Sequence, residues 1–147
     1  MKRSSSGFTL LELMIVLMLM ALIAAVTMPI FGSGVSSTEL RGAARELAAG
    51  LRLARGQAIA QRTQAALALD VGARSFSVPP DPRVHTLPRG IDLKLFTAQN
   101  DIVNDQIGAI RFYPDCGSNG GRVKLAAGAR KYDVDVDWLT GRVAILE

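Results

Sequence analysis

Few residues of this chain are of a type and spacing to do chemistry, and the most demanding of them is Glu12. It is the lone carboxylate in the apolar run 8–31, and a basic, polar segment ending in glycine, Lys2-Arg3-Ser4-Ser5-Ser6-Gly7, precedes it. A carboxylate in such a run is costly. An Asp at the centre of an inserted helix costs about 2.5–3.5 kcal/mol, and a Glu behaves comparably. A group that offsets this cost has to exist, and an intramembrane carboxylate reads by default as functional.

The other candidates are weaker. His85 is the only histidine and Cys116 the only cysteine. His85 lies in a proline-rich stretch with no distinctive nucleophile beside it, so no catalytic residue is predicted. Asp133, Asp135 and Asp137 alternate and suggest calcium, which takes several oxygens. On a strand, however, alternate residues lie about 6.6 Å apart, so the trio reads as a solvated face and no metal site or cofactor is predicted. Residues 117–121 are glycine-rich but lack the lysine of a phosphate loop, and read as a hairpin connection.

The element that must position Glu12 is the run itself. Thr9, Glu12, Thr27 and Pro29 are its only polar or helix-unfriendly residues. About 20 apolar residues cross a bilayer. Lys2 and Arg3 on the N-terminal flank place Met1 in the cytoplasm and the C-terminal mass outside it. A cleaved secretory signal is the alternative, with Gly32-Ser33-Gly34 as a mimic of its cutting site. The run is longer than the apolar region of such signals. It is also apolar all round, unlike a one-stripe core helix.

Gly7-Phe8-Thr9-Leu10-Leu11-Glu12 resembles the class III leader of type IV pilins and type II secretion pseudopilins. The resemblance implies cleavage between Gly7 and Phe8 by a prepilin peptidase on the cytoplasmic face, followed by N-methylation of Phe8. The cut exposes a new α-amine at Phe8, and the resemblance also implies a partner for Glu12: the glutamate of one subunit pairs with the N-terminal amine of its neighbour as subunits enter a filament. Within one chain the two positions are about 6 Å apart along a helix.

The chain has 147 residues and a net charge of +4, of which Lys2 and Arg3 supply two. The basic balance is therefore partly a leader effect, and nucleic acid is disfavoured as a partner. Leader and span removed, roughly 115 residues remain, one modest domain. With one cysteine no internal disulfide forms, a departure from the disulfide loop of many pilins, and Cys116 is expected to be a half-buried or loop residue without chemistry.

Beyond the run, Pro29 and Gly32-Ser33-Gly34 predict a kink or soft point. Ser37-Thr38 reads as a helix restart. Leu40, Ala44, Leu47, Leu51, Ala54 and Ala58 then recur at three- and four-residue steps, the stripe of an amphipathic helix to about Arg62. Arg41, Arg45, Arg52, Arg55 and Arg62 fall on an adjacent face, which is either solvated or in contact with neighbouring subunits, lipid headgroups or an acidic partner. After Thr63 the period becomes two. Strands are predicted at 65–71, 74–78, 91–96, 109–113, 122–126, 131–137 and 142–146, separated by proline and glycine breakers. Tyr132, Val134, Val136 and Trp138 alternate with Asp133, Asp135 and Asp137, so the first set is expected on the buried face.

Two C-terminal segments narrow the resemblance. Residues 112–123, from Phe112-Tyr113-Pro114 to Gly120-Gly121-Arg122-Val123, loosely match the F-x-P-x-G-x-x-x-G-G segment of the pseudopilin H family of type II secretion and the related FimT and FimU minor pilins. Asp137-Trp138-Leu139-Thr140-Gly141-Arg142-Val143 is similar to the family's closing strand and turn, and the helix from Ala54-Arg55 to Arg62 to its helix. The implied fold is α+β and type IV pilin-like: a long N-terminal helix, half membrane-spanning and half amphipathic, on a C-terminal antiparallel β-sheet or sandwich. The expected divisions are leader 1–7, span 8–31, amphipathic half 32–62 and periplasmic β domain 63–147.

The function implied is that of a structural minor pseudopilin, not an enzyme. It would sit in the inner membrane of a Gram-negative cell, single-pass, near the tip of a periplasmic pseudopilus that exports folded proteins. Its implied partners are the major pseudopilin G, the minor I, J and K subunits, the peptidase, membrane lipid and the secreted substrate. The alternative is a minor type IV pilin in pilus assembly or DNA uptake.

Overall fold

The computed structural model describes residues 9–27, 35–98, 102–104 and 106–147. Gly7 and Phe8, Pro29 and Gly32-Ser33-Gly34 lie outside them, and so does the predicted kink. The chain divides into two compact units, 1–34 and 35–147.

The first unit holds helix α1, Leu10–Thr27. Thr9 starts it: its carbonyl accepts from the Leu13 amide at 3.2 Å and its hydroxyl from the Glu12 amide at 3.2 Å, which satisfies a donor the helix leaves orphaned. Every described side chain from Leu10 to Ile23 is exposed. Among the described residues no helix is long and apolar enough to cross a membrane. The 18 residues of α1 rise about 27 Å, short of a hydrocarbon core of about 30 Å, and the apolar sequence continues past them to Phe31.

The second unit begins with helix α2, Ser37–Gln61. Ser36 and Glu39 form a reciprocal capping box. The Glu39 amide donates to the Ser36 hydroxyl at 3.1 Å, and the Ser36 amide donates to the Glu39 carboxylate at 2.8 Å. These bonds hold the Glu39 carboxyl below its ordinary pKa. The helix ends where Arg62 turns left-handed, φ 51°. The predicted stripe is its buried face: Leu40, Ala44, Leu47, Leu51, Ala54 and Ala58 are all in the core. The alanines let the helix lie close to the sheets while the leucines fill the gaps. Removing one buried leucine, Leu47 or Leu51 to Ala, costs about 2–5 kcal/mol.

Among the described residues nine strands follow, in two antiparallel sheets. They are β1 (Ala65–Asp70), β2 (Ser75–Ser77), β3 (Val84–Thr86), β4 (Asp92–Thr97), β5 (Ile102–Asn104), β6 (Ile107–Phe112), β7 (Gly121–Ala127), β8 (Arg130–Val136) and β9 (Val143–Leu146). The first sheet runs β3-β2-β1-β6-β5 and the second β4-β7-β8-β9. Leu67 pairs with Ile110 across β1 and β6, and Val123 with Val134 across β7 and β8. These side chains meet the α2 stripe in one core, the helix packing against both sheets.

The glycine-rich segment joins the two sheets. Asn119 accepts from the Arg111 amide at 2.8 Å and donates to the Thr97 hydroxyl at 3.2 Å. Thr97 in turn donates to the Ala109 carbonyl at 3.0 Å. The hydroxyl of the buried Ser118 donates to the Arg111 carbonyl at 2.6 Å. A buried polar group needs such partners, and here they bridge β6 of one sheet to β4 of the other.

All seven predicted strands are present, with end shifts of one or two residues. Two strands have no counterpart in the prediction, β3 and β5, and they are the two edges of the first sheet. Each has three residues, and β3 lies between Pro82 and Pro88. Short, proline-flanked edges resist pairing with other chains, and they are also too short to show a period. One burial expectation fails. Trp138 is 67% exposed, because β8 ends at Val136 and Asp137 opens a turn, so the alternation stops before it reaches the tryptophan.

Candidate functional site

At the N-terminal site the described residues are Thr9 and Glu12. Glu12 is in the first turn of α1 and exposed, where the positive end of the helix dipole favours a carboxylate. The sequence Thr-x-x-Glu is itself a helix-start signature. The residue thus does local work at the helix start and still presents its charge outward. All its described helical neighbours through Ile23 are exposed.

The arginine face of α2 divides in two. Arg41, Arg45 and Arg62 are exposed, and their side chains make no ion pair or hydrogen bond among the described residues. Arg52 and Arg55 reach the C-terminus of the chain. Arg52 Nη2 donates to the Val143 carbonyl at 3.4 Å, and Arg55 Nη2 to the Thr140 carbonyl at 3.0 Å.

Around Arg55 the three segments that carry the sequence resemblance meet. Gly141 has φ +60°, and a Cβ on it would stand 2.6 Å from the Cys116 carbonyl oxygen and 3.1 Å from Arg55 Nε. The Ser118 amide donates to the Trp138 carbonyl at 2.9 Å. Helix, glycine-rich segment and closing turn are therefore one packed junction, and only glycine fits at its centre. Cys116 is half-buried and unpaired, with its backbone at φ 74°. Its carbonyl faces the junction.

The aspartates serve the sheet. Arg122 Nε lies 2.8 Å from Asp135, and Arg122 Nη1 lies 3.9 Å from Asp133. The Asp135 bond, then its charge, raise the Arg122 pKa. Asp137 accepts from the Thr140 amide and hydroxyl at 2.8 Å each and from the Leu139 amide at 3.0 Å. These bonds, those from Thr140 foremost, lower its pKa. Among the described residues no three potential metal ligands cluster. His85 Nδ1 lies 3.0 Å from Glu46 Oε1, and its ring stacks on Phe76 at 4.9 Å, which places it as a strut between β3 and α2.

The sequence reading missed two surface features. Phe96, Trp138, Arg122 and Lys124 line an open groove of about 660 Å³, with the Lys124 ammonium 5.4 Å from the centre of the Phe96 ring. The second is the approach of Arg130 and Tyr132 to Arg41 and Arg45 around another cavity. Neither has a local sequence signal, since each joins residues distant in the chain.

Comparison with known proteins fits this arrangement. The model of the type II transport protein GspH matches residues 43–140, and the prokaryotic N-terminal methylation motif matches residues 2–28. Type II secretion system protein H of Xanthomonas campestris pv. campestris is 32% identical over 142 residues, covering 97% of this chain and 83% of that protein. The minor pilin FimU of Pseudomonas aeruginosa superposes with a TM-score of 0.57 at 16% identity, over 75% of this chain and 90% of FimU. The minor pseudopilin EpsH from the type 2 secretion system of Vibrio cholerae gives 0.57 at 14% identity, over 74% and 96%. At those identities the structures establish the fold, which is type IV pilin-like. The family model covers two thirds of the chain and the secretion protein aligns along nearly all of it, so this chain belongs to the GspH family of type II transport proteins.

Proposed function

We propose that the chain is a minor pseudopilin of a type II secretion system, a structural subunit near the tip of the periplasmic pseudopilus. It enters the inner membrane as a single-pass precursor, N-terminus in the cytoplasm, with leader 1–7, span 8–31, amphipathic half 32–62 and periplasmic β domain 63–147. A prepilin peptidase cuts between Gly7 and Phe8, and Phe8 is N-methylated. Glu12 then pairs with the N-terminal amine of an adjoining subunit, the major pseudopilin G or a minor subunit I, J or K, and the filament helps move folded proteins outward. The observation that carries this reading is one chain matching the methylation motif at 2–28 and the GspH model at 43–140.

The physics of Glu12 supports it. A carboxylate exposed on an apolar helix is costly in lipid. A positive amine within a few ångströms in a low-dielectric setting offsets much of that cost. The pair exists only when two processed subunits adjoin, so it rewards assembly and not insertion. A role as a minor type IV pilin suits the fold shared with FimU, but the 32% identical relative is a secretion protein.

The test is complementation of a strain lacking this chain, with secretion and processing read separately. Wild type restores secretion. Glu12→Ala is cleaved after Gly7 yet fails to enter the filament, and secretion is lost. A bulky residue at Gly7 leaves the leader uncut. Normal secretion by Glu12→Ala would refute the pairing. Unimpaired secretion without the chain, together with a lost pilus, would move it to the pilin reading.

A further inference from the structure

A cavity of about 330 Å³ opens between the start of α2 and the start of β8. Ser37, Thr38, Arg41 and Arg45 line it from the helix, and Arg130 and Tyr132 from the strand. Arg41 and Arg45 are one turn apart on the same face, a like-charge spacing that destabilises a helix. Arg130 adds a third guanidinium from the sheet. Among the described residues none of the three guanidinium groups has an ion pair or a hydrogen bond. The two carboxylates in this half of α2 are engaged elsewhere: Glu39 with the Ser36 amide and Glu46 with His85. Three positive charges thus surround a cavity that no acidic side chain lines.

We propose that this cavity binds the phosphate of an anionic phospholipid headgroup in the periplasmic leaflet. The proposal rests on the reading of 8–31 as a membrane span. Arginine presents planar forks of donors that fit phosphate oxygens, and the Ser37, Thr38 and Tyr132 hydroxyls add neutral donors to the same cavity. Chain length supplies the location. Ser37 comes six positions after Phe31, the end of the apolar run, and six residues reach about 21 Å at most. The cavity is therefore tethered near the headgroup layer, where each basic residue near an anionic surface gains binding of about fivefold. A lipid clamped there would hold the globular unit at the membrane before assembly, and joining the filament would release it.

The test uses the full-length chain in vesicles mixing phosphatidylglycerol and phosphatidylcholine. Flotation reports insertion, and native mass spectrometry reports which lipid stays bound. The wild-type chain is expected to retain phosphatidylglycerol over phosphatidylcholine. Arg130→Gln should cut that preference about fivefold, and the triple change of Arg41, Arg45 and Arg130 to Gln should abolish it. Lys124→Gln, the same charge change on the groove outside the cavity, should leave it intact. An undiminished preference in the triple variant overturns the proposal, as does an equal loss in Lys124→Gln. Inorganic phosphate that strips the phosphatidylglycerol and itself stays bound would make the free anion the ligand and overturn the lipid assignment. A triple variant that keeps its lipid but no longer co-purifies with other pseudopilins would make the cavity a contact for an acidic protein instead. A chain that does not float overturns the membrane span, and the lipid site with it.

Discussion

Arg55 Nη2 donates to the Thr140 carbonyl across 85 positions of sequence, at 3.0 Å. The bond fastens the C-terminal third of α2 to the closing turn. The same guanidinium lies against Gly141, whose missing side chain leaves room for Arg55 and for the Cys116 carbonyl.

Changing either side of this junction should loosen the turn. Gly141→Ala forces a left-handed alanine and places its Cβ 2.6 Å from the Cys116 oxygen, a loss of about 2 kcal/mol or more. Arg55→Ala removes one charge-assisted hydrogen bond in a half-exposed setting, worth about 1 kcal/mol. Chemical denaturation of the detergent-solubilised chain, followed by circular dichroism, measures both. A wild-type midpoint for Gly141→Ala would show that the turn can shift at no cost.

The sequence exposes this junction only in pieces. Its stripe of Leu40, Ala44, Leu47, Leu51, Ala54 and Ala58 announces the buried face of α2, because helical periodicity is local. Alternation announces β1, β7 and β8 for the same reason. The edges β3 and β5 escape, since three residues hold no period. Trp138 is misread because alternation alone does not show that Asp137 folds back on Thr140. The approach of Arg55 to Gly141, or of Arg130 to Arg41, depends on the pairing of distant strands and has no sequence period at all. Glu12 is legible because its cost arises from composition, whereas its partner, by resemblance, is on another molecule.

Asp137 makes the closing turn sensitive to acid. Its pKa is lowered chiefly by the hydrogen bonds from Thr140. A carboxylate whose pKa is lower folded than unfolded adds stability above its unfolded pKa and loses it as pH falls through the folded one. Glu39, lowered by its bonds with Ser36, acts in the same direction. Stability should therefore decline as pH drops through the carboxylate range. Asp137→Asn, which keeps an acceptor oxygen but no charge, should be less stable at neutral pH and show a shallower decline. Denaturation midpoints measured against pH check this, and identical slopes for the two proteins would contradict it.

Two glycines in α2 should respond in opposite directions to the same change. An alanine Cβ at Gly56 meets nothing within 4 Å, and the site is exposed helix. Gly56→Ala removes backbone freedom from the unfolded chain and should stabilise by about 0.5–1 kcal/mol. At Gly50 the same Cβ would stand 2.7 Å from Phe76 Cε2 and 3.0 Å from Leu67 Cδ1. Neither neighbour yields easily, because Leu67 is fully buried and the Phe76 ring is held between the core and His85. Overpacking there costs about 1–3 kcal/mol, more than the helix-propensity gain of about 1 kcal/mol at its upper end. Six residues separate the sites, about 9 Å along the axis, so the double variant should fall near the sum of the single effects. Gly50→Ala more stable than the wild-type chain, in the same denaturation experiment, would mean that α2 can stand off the first sheet and that Gly50 does not set their distance.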